Sequence, residues 1–369
     1  AIGRYQSGQE APYPEPCNHC DLCSWRDHCQ ARRVVDDHLC QVANISRVQW
    51  GRLEAAGVHT MAQLAALPVG TTLPRMNGEV LDRLRHQAAL QDQARQTGER
   101  QAVVLPLDPD GRRGFNRLPL PDVGDMFFDM EGDPLEIGGL EYLFGLWYFE
   151  DDAWQFKGFW AHDRAQERVA FEAFMDFVTD RRERYPQSHI YHYASYEETA
   201  LKRLSCAHAT REKALDNLLR QQVLVDLYKV VREGLRISEP SYSIKYVEHF
   251  YRLARAGDVQ NAGASIVYYE RWRETHDPKL LQDIEDYNRD DVESTWQLRE
   301  WLLTLRPQGM PWKPARSVDA DGDDGTPKAR KSTEDRQAAE VKLAKYRADL
   351  VDGLPSDRLD WTPQEQVSE

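Results

Sequence analysis

The chain of 369 residues has no apolar run approaching the roughly 20 residues a helix needs to cross a bilayer, and no secretory leader opens it. A soluble, cytoplasmic protein is expected, with no membrane partner. An excess of positive charge is also missing: 47 Lys plus Arg stand against 61 Asp plus Glu, a formal net charge of −14. Such a balance argues against a surface that binds polyanions everywhere. Residues 1–100 contain no lysine, and their eleven Arg and eleven acids leave them neutral, so the negative excess lies downstream. Cysteines are few, and four of the six fall within thirteen residues, which is unlike the disulfide framework of a small secreted domain. Ala1 is not an initiator methionine and the last residues form a charged, Pro-containing tail, so a piece of a larger protein is expected.

What is present divides the chain. A Cys-rich segment, 1–44, precedes a mainly helical region, 45–105. There Ile45–Leu67 reads as a short helix, a turn at Gly57 and a second helix capped by Thr60, followed by a third helix over 79–96. Pro and Gly mark a linker over 106–124. From 125 to 305 the patterns alternate between strand and helix, which predicts an α/β domain. Strands are expected at 126–130, 142–149, 153–160 and 189–193, and helices at 165–184, 196–204, 211–233, 243–255 and 278–305. Residues 306–332 suit a flexible linker, and a short helix near 333–350 would open a further region, 333–369.

Three acidic constellations stand out in that α/β stretch. Asp129 and Glu131 end an apolar strand at i and i+2, so both carboxylates leave the same face, where they repel unless a cation neutralises them. Glu197 and Glu198 open a helix after the strand 189–193. Ser195 and Glu198 have capping-box spacing, which leaves Glu197 as the better metal ligand. The third set lies on the helix introduced by Asp277 and Pro278. With Ile284 at zero and about 100° per residue, Leu302 falls at about 0°, Leu298 near −40° and Asp291 near −20°, whereas Asp290 falls near −120°. Asp291 therefore follows the buried stripe, with Tyr287 near −60° on the same face, and Asp290 reads as a solvated residue. An acid on a core-facing stripe is costly unless it is paired or holds a metal.

The ordered set, D-x-E on a first strand, an acid after a later strand and Y-x-x-x-D on a late helix, resembles the exonuclease motifs of the DEDD superfamily in its Tyr form. The resemblance covers roughly 125–305 and implies a ribonuclease-H-like mixed sheet flanked by helices. It implies two Mg²⁺ or Mn²⁺ ions held by Asp129, Glu131, Glu197 and Asp291, with Tyr287 orienting the attacking water in 3′→5′ hydrolysis. The chain departs from its relatives at the second motif, with Tyr193 and Glu197 where an Asn and an Asp are usual. Lys229, Arg232, Arg236, Lys245, Arg252 and Arg255, with Tyr242 and Tyr246 for stacking, would form a local track for a nucleic-acid strand, single-stranded DNA or RNA. Asp226 reads as a helix cap in preference to an auxiliary site acid.

Cys17, Cys20, Cys23 and Cys29 have the spacing of thiolates that converge on one metal centre, either Zn²⁺ or a [4Fe–4S] cluster. Their last three spacings resemble the carboxy-terminal cysteines of iron–sulfur RecB-family nucleases, although the RecB-type catalytic motifs are not visible. The 45–67 segment resembles a helix-hairpin-helix. The order of these parts resembles predicted RecB-family nucleases with a YprB-like domain, which implies a fused or associated helicase. A second reading, a nucleic-acid-binding module with a degenerate nuclease site, competes with the exonuclease.

Overall fold

The computed structural model of the chain describes residues 13–17, 19–20, 23–108, 110–252, 262–313, 341–342 and 345. Arg255, most of the expected 306–332 linker and most of the expected 333–350 helix lie outside them. Among the described residues no helix is long and apolar enough to cross a membrane.

The amino-terminal part is helical: α1 (Arg26–Val35), α2 (Arg47–Ala55), α3 (Met61–Ala65) and α4 (Gly78–Thr97). Ser46 and Thr60 each close a capping box with the Gln three residues on, so the starts of α2 and α3 are fixed locally. Gly57 turns the chain between them at φ +84°, a conformation that costs glycine little. Leu53, Val58, Met61, Leu64, Leu81 and Leu84 close this unit around its own core.

The larger part is built on a five-stranded sheet. Strands β2 (Met126–Asp133), β3 (Leu140–Glu150) and β4 (Ala153–Trp160) form an antiparallel meander, and β5 (Ile190–His192) and β6 (Leu224–Asp226) add parallel to β2, giving the order β4-β3-β2-β5-β6. Alternation along β2 sorts its side chains between two cores. Met126, Phe128 and Met130 pack with α5 (Arg164–Arg184) and α6 (Tyr196–His208), while Phe127 faces the long α11 (Pro278–Leu305) with Leu298 and Leu302. This is a ribonuclease-H-like α/β arrangement, as expected.

Several elements differ from expectation. The helix expected over 211–233 is broken into α7 (Glu212–Arg220), strand β6 and α8 (Leu227–Gly234), because the Val223–Val225 run pairs with β5 and is largely buried there. Over 243–255 the described residues form one turn, α9 (Ile244–Val247), and a 3-10 turn at Glu248–Phe250. A helix not anticipated, α10 (Ala262–Thr275), packs beside α11. The 106–124 stretch is anchored where Phe115 and Leu118 are buried in the core shared with α8. The two parts are also joined: β1 (Ala102–Val104) pairs with β7 (Leu235–Ile237), and Gln87 of α4 donates to the Ile237 carbonyl at 2.8 Å and accepts from the Tyr242 hydroxyl at 2.9 Å.

Beneath the sheet, Arg299 donates to Asp125 Oδ2 at 2.8 Å and lies over the rings of Phe127 and Tyr191. Burial pushes the Asp125 carboxyl up to about 6 against the pull of Arg299. Replacing Arg299 by Met is therefore expected to cost about 3 kcal/mol in urea unfolding at neutral pH, since it leaves a buried carboxylate without its cation. A loss below about 1 kcal/mol, the scale of an exposed pair, would contradict this role.

Candidate metal centre

Asp129 and Glu131 leave the same face of β2, the face covered by α11, and Asp291 meets them from that helix. One ligand oxygen from each of the three lies within 4.8 Å of the others. Asp277 accepts from Lys279 N at 2.9 Å and Pro278 fills the first turn, so the start of α11 is set by its own sequence. The apolar stripe of Ile284, Leu298 and Leu302 is fully buried and fixes the helix rotation, which turns Asp291 toward the sheet.

The approach of α11 to the sheet depends on Gly145. In the antiparallel register Gly145 stands opposite Asp129, and a Cβ there would come within 1.7 Å of Asn288 Oδ1. With only hydrogen at that place, buried Asn288 seats against β3 and donates through Nδ2 to Asp129 Oδ2 at 2.9 Å. Immediately after Glu131 the register shifts by a bulge. A Cβ at Gly132 would meet Glu141 Oε2 at 2.2 Å; that carboxylate accepts from Tyr196 Oη and pairs with Arg203.

Glu131 is the buried member. Burial, and next the charge of Asp291, push its carboxyl up to about 8, against contacts to Ser265 and Asn288 and the positive field of Lys245. Lys245 donates to the Tyr287 hydroxyl at 2.9 Å and lies over its ring. The donor set is all oxygen and its members repel, which fits a hard divalent cation such as Mg²⁺ or Mn²⁺ and gives a thiol-seeking metal no sulfur.

The other expected residues separate. Glu197 is buried at the start of α6 with Oε2 3.3 Å from His192 Nδ1, outside the group of three. The Ser195 capping box does not form: at φ −102°, ψ 1° the residue is not in the extended conformation of a cap, its side chain makes no cap hydrogen bond, and Glu198 pairs with Lys202. Asp226 caps α8, accepting from Lys229 N and from Ala194 N. The cap at Asp226 is as expected, whereas Asp290, expected to be solvated, is held by Arg252. Tyr242 is 2% exposed and satisfied by Gln87, which removes it from any stacking role, whereas Tyr246 is exposed. Asn288, Ser265 and Gly145 escaped the sequence reading. On the helical wheel Asn288 falls near +40°, within the buried stripe, and a glycine inside the apolar β3 marks a close approach.

The four cysteines of the amino-terminal cluster carry no disulfide. The Cys17 and Cys20 sulfurs are 3.9 Å apart, and the backbone N–H of Cys17 and then Arg33 hold the Cys20 thiol below its usual value. Among the described residues the three carboxylates are the one group of three or more ligands that close together.

Residues 126–303 match the family model described as RNase_H superfamily. No curated protein and no solved structure matches the chain. This part of the chain is thus a domain of nuclease-type fold, with an acidic group that could hold a metal ion where its central strand meets its last helix. The match carries nothing on the RecB-type, YprB-like or iron–sulfur resemblances.

The elevated Glu131 carboxyl has a consequence for pH. Its folded value lies above its ordinary 4.5, so the stability it contributes is complete below about pH 4.5 and is lost as pH rises through about 8. The cation-free protein is expected to lose melting temperature between pH 6 and 9 more steeply than Glu131→Gln, with Mn²⁺ restoring more at pH 9 than at pH 6. Parallel pH profiles for the two proteins would contradict this assignment.

Proposed function

We propose that residues 126–303 form a two-metal 3′→5′ exonuclease of the Tyr-containing DEDD type, acting on single-stranded DNA, with RNA as the alternative strand. The observation that carries the reading is the convergence of Asp129, Glu131 and Asp291 from a strand and a helix far apart in sequence, with Tyr287 one helical turn before Asp291. When bound, divalent cations supply a nucleophilic water at neutral pH and stabilise charge on the attacking and leaving oxygens. The chain's own residues do the rest. Asn288 holds Asp129 in place, and Ser265 supports Glu131. Lys245 donates to the Tyr287 oxygen and so fixes the ring beside the acids, and in this reading Tyr287 orients the attacking water. Lys245 also offers positive charge beside a scissile phosphate.

Glu197 is the fourth acid of this reading, and its contact with His192 holds it outside the group of three. That position favours one alternative, a strand-binding module with a weakened or degenerate site. Both are tested with a 5′-labelled single strand. Stepwise shortening from the 3′ end in Mg²⁺ or Mn²⁺ is expected, falling by about 10²–10³-fold or more in Asp129→Ala. In Tyr287→Phe a loss of about 10²-fold in kcat is expected, with metal affinity retained. Activity without divalent metal, or undiminished activity in Asp129→Ala, would overturn the exonuclease reading, and tight binding with no turnover would select the alternative.

A further inference from the structure

A polar cleft of about 510 Å³ opens between the amino-terminal helical unit and the nuclease-type domain. Its walls bring together cations from four separate segments: Arg83 of α4, Arg113, Lys229 and Arg232 of α8, and Arg236 of β7. Its floor includes Ala194 and Ser195, which lead directly into Glu197. Strands β2, β5 and β6 run parallel, so their carboxyl ends share one side of the sheet. The carboxylates leave β2 near that side and the cleft lies past the ends of β5 and β6, the place where open α/β sheets receive ligands.

The charges in this cleft are poorly balanced. Its two acids are already engaged: Asp226 caps α8 and contacts Lys229, and Glu233 accepts from Arg117 and from Gly114 N. No carboxylate lies within 4.0 Å of Arg83, Arg232 or Arg236 among the described residues. They act on one another instead. Burial, then Arg236 and Arg232, hold Arg83 below its usual value, and burial and then Arg236 do the same to neighbouring His86. Converging guanidinium groups without counter-charges suit a ligand carrying several anionic oxygens. Tyr228, with Arg232 over its ring, adds an aromatic face to the same cleft.

We propose that this cleft binds the phosphodiester backbone of a nucleic-acid strand on its way to the carboxylate group, and that the amino-terminal helical unit is part of the substrate site through Arg83. The proposal rests on the nuclease reading for the direction of the strand but not for the binding itself. The pairing of β1 with β7 and the Gln87–Tyr242–Ile237 bonds hold α4 against the domain, which keeps Arg83 opposite Arg232 and Arg236. The cleft also gives a protein of net charge −14 a local place for a polyanion.

The test is fluorescence anisotropy with a labelled oligodeoxythymidine of about 15 nucleotides, in Ca²⁺, over a series of salt concentrations. The variants are the double substitution Arg83→Gln with Arg232→Gln, and a charge-matched control, Arg168→Gln with Lys213→Gln, on the opposite face of the sheet. Neither cleft side chain belongs to a core, and thermal melts check that the fold is kept. The slope of log affinity against log salt is expected to fall by about 1.4 for the cleft variant, about 0.7 for each lost phosphate contact, and to stay unchanged in the control. Hydrolysis of bis(p-nitrophenyl) phosphate, too small to reach the cleft, reports the carboxylate site separately and is expected to be equal in all three proteins. Unchanged affinity and slope in the cleft variant would overturn the proposal, as would an equal loss in the control. Weakened binding in the cleft variant alone, with no hydrolysis in any protein, would keep the cleft and remove the nuclease reading.

Discussion

Three carboxylates held within 4.8 Å of one another, one of them buried, repel, and the architecture around them is what keeps them together. Strand β2 supplies two acids on one face, and α11 supplies the third because its apolar stripe locks the helix rotation. The absence of a side chain at Gly145 lets the helix sit close enough for Asn288 to reach Asp129. Ser265 from α10 and Lys245 from α9 then temper the negative field at Glu131. Burial and the charge of Asp291 favour a proton on Glu131, and a divalent cation is the other way to relieve the repulsion.

The parts of this arrangement that obey a local period were legible in the sequence. Strand alternation put Asp129 and Glu131 on one face, and the 3.6-residue period chose Asp291 over Asp290 for the inward side. Capping chemistry found the starts at Thr60 and Asp277, because those bonds are made within three residues. The same logic failed at Ser195, where the chain enters α6 through Ala194 at φ +75° and the serine never takes a cap conformation.

Long-range packing was not legible. Strand β6 is three residues long and exists because β5 pairs with it, so its Val–Leu run read as part of a helix. The roles of Gly145 and Asn288 depend on a strand register and a helix approach joining residues 143 positions apart. Tyr242 read as a surface aromatic, but its hydroxyl belongs to a polar junction with Gln87, 155 positions away. That junction, with the β1–β7 pair, makes the helical unit a wall of the polar cleft instead of a separate appendage.

The central claim, that the acidic group is a cation site assembled by β2 and α11, is tested most directly by titrating Mn²⁺ into the protein and following free Mn²⁺ by electron paramagnetic resonance. Wild-type protein is expected to take up Mn²⁺, and Asp291→Asn to lose that uptake with its melting curve preserved or raised, since the substitution removes one repelling charge. Equal uptake by the two folded proteins would contradict the account.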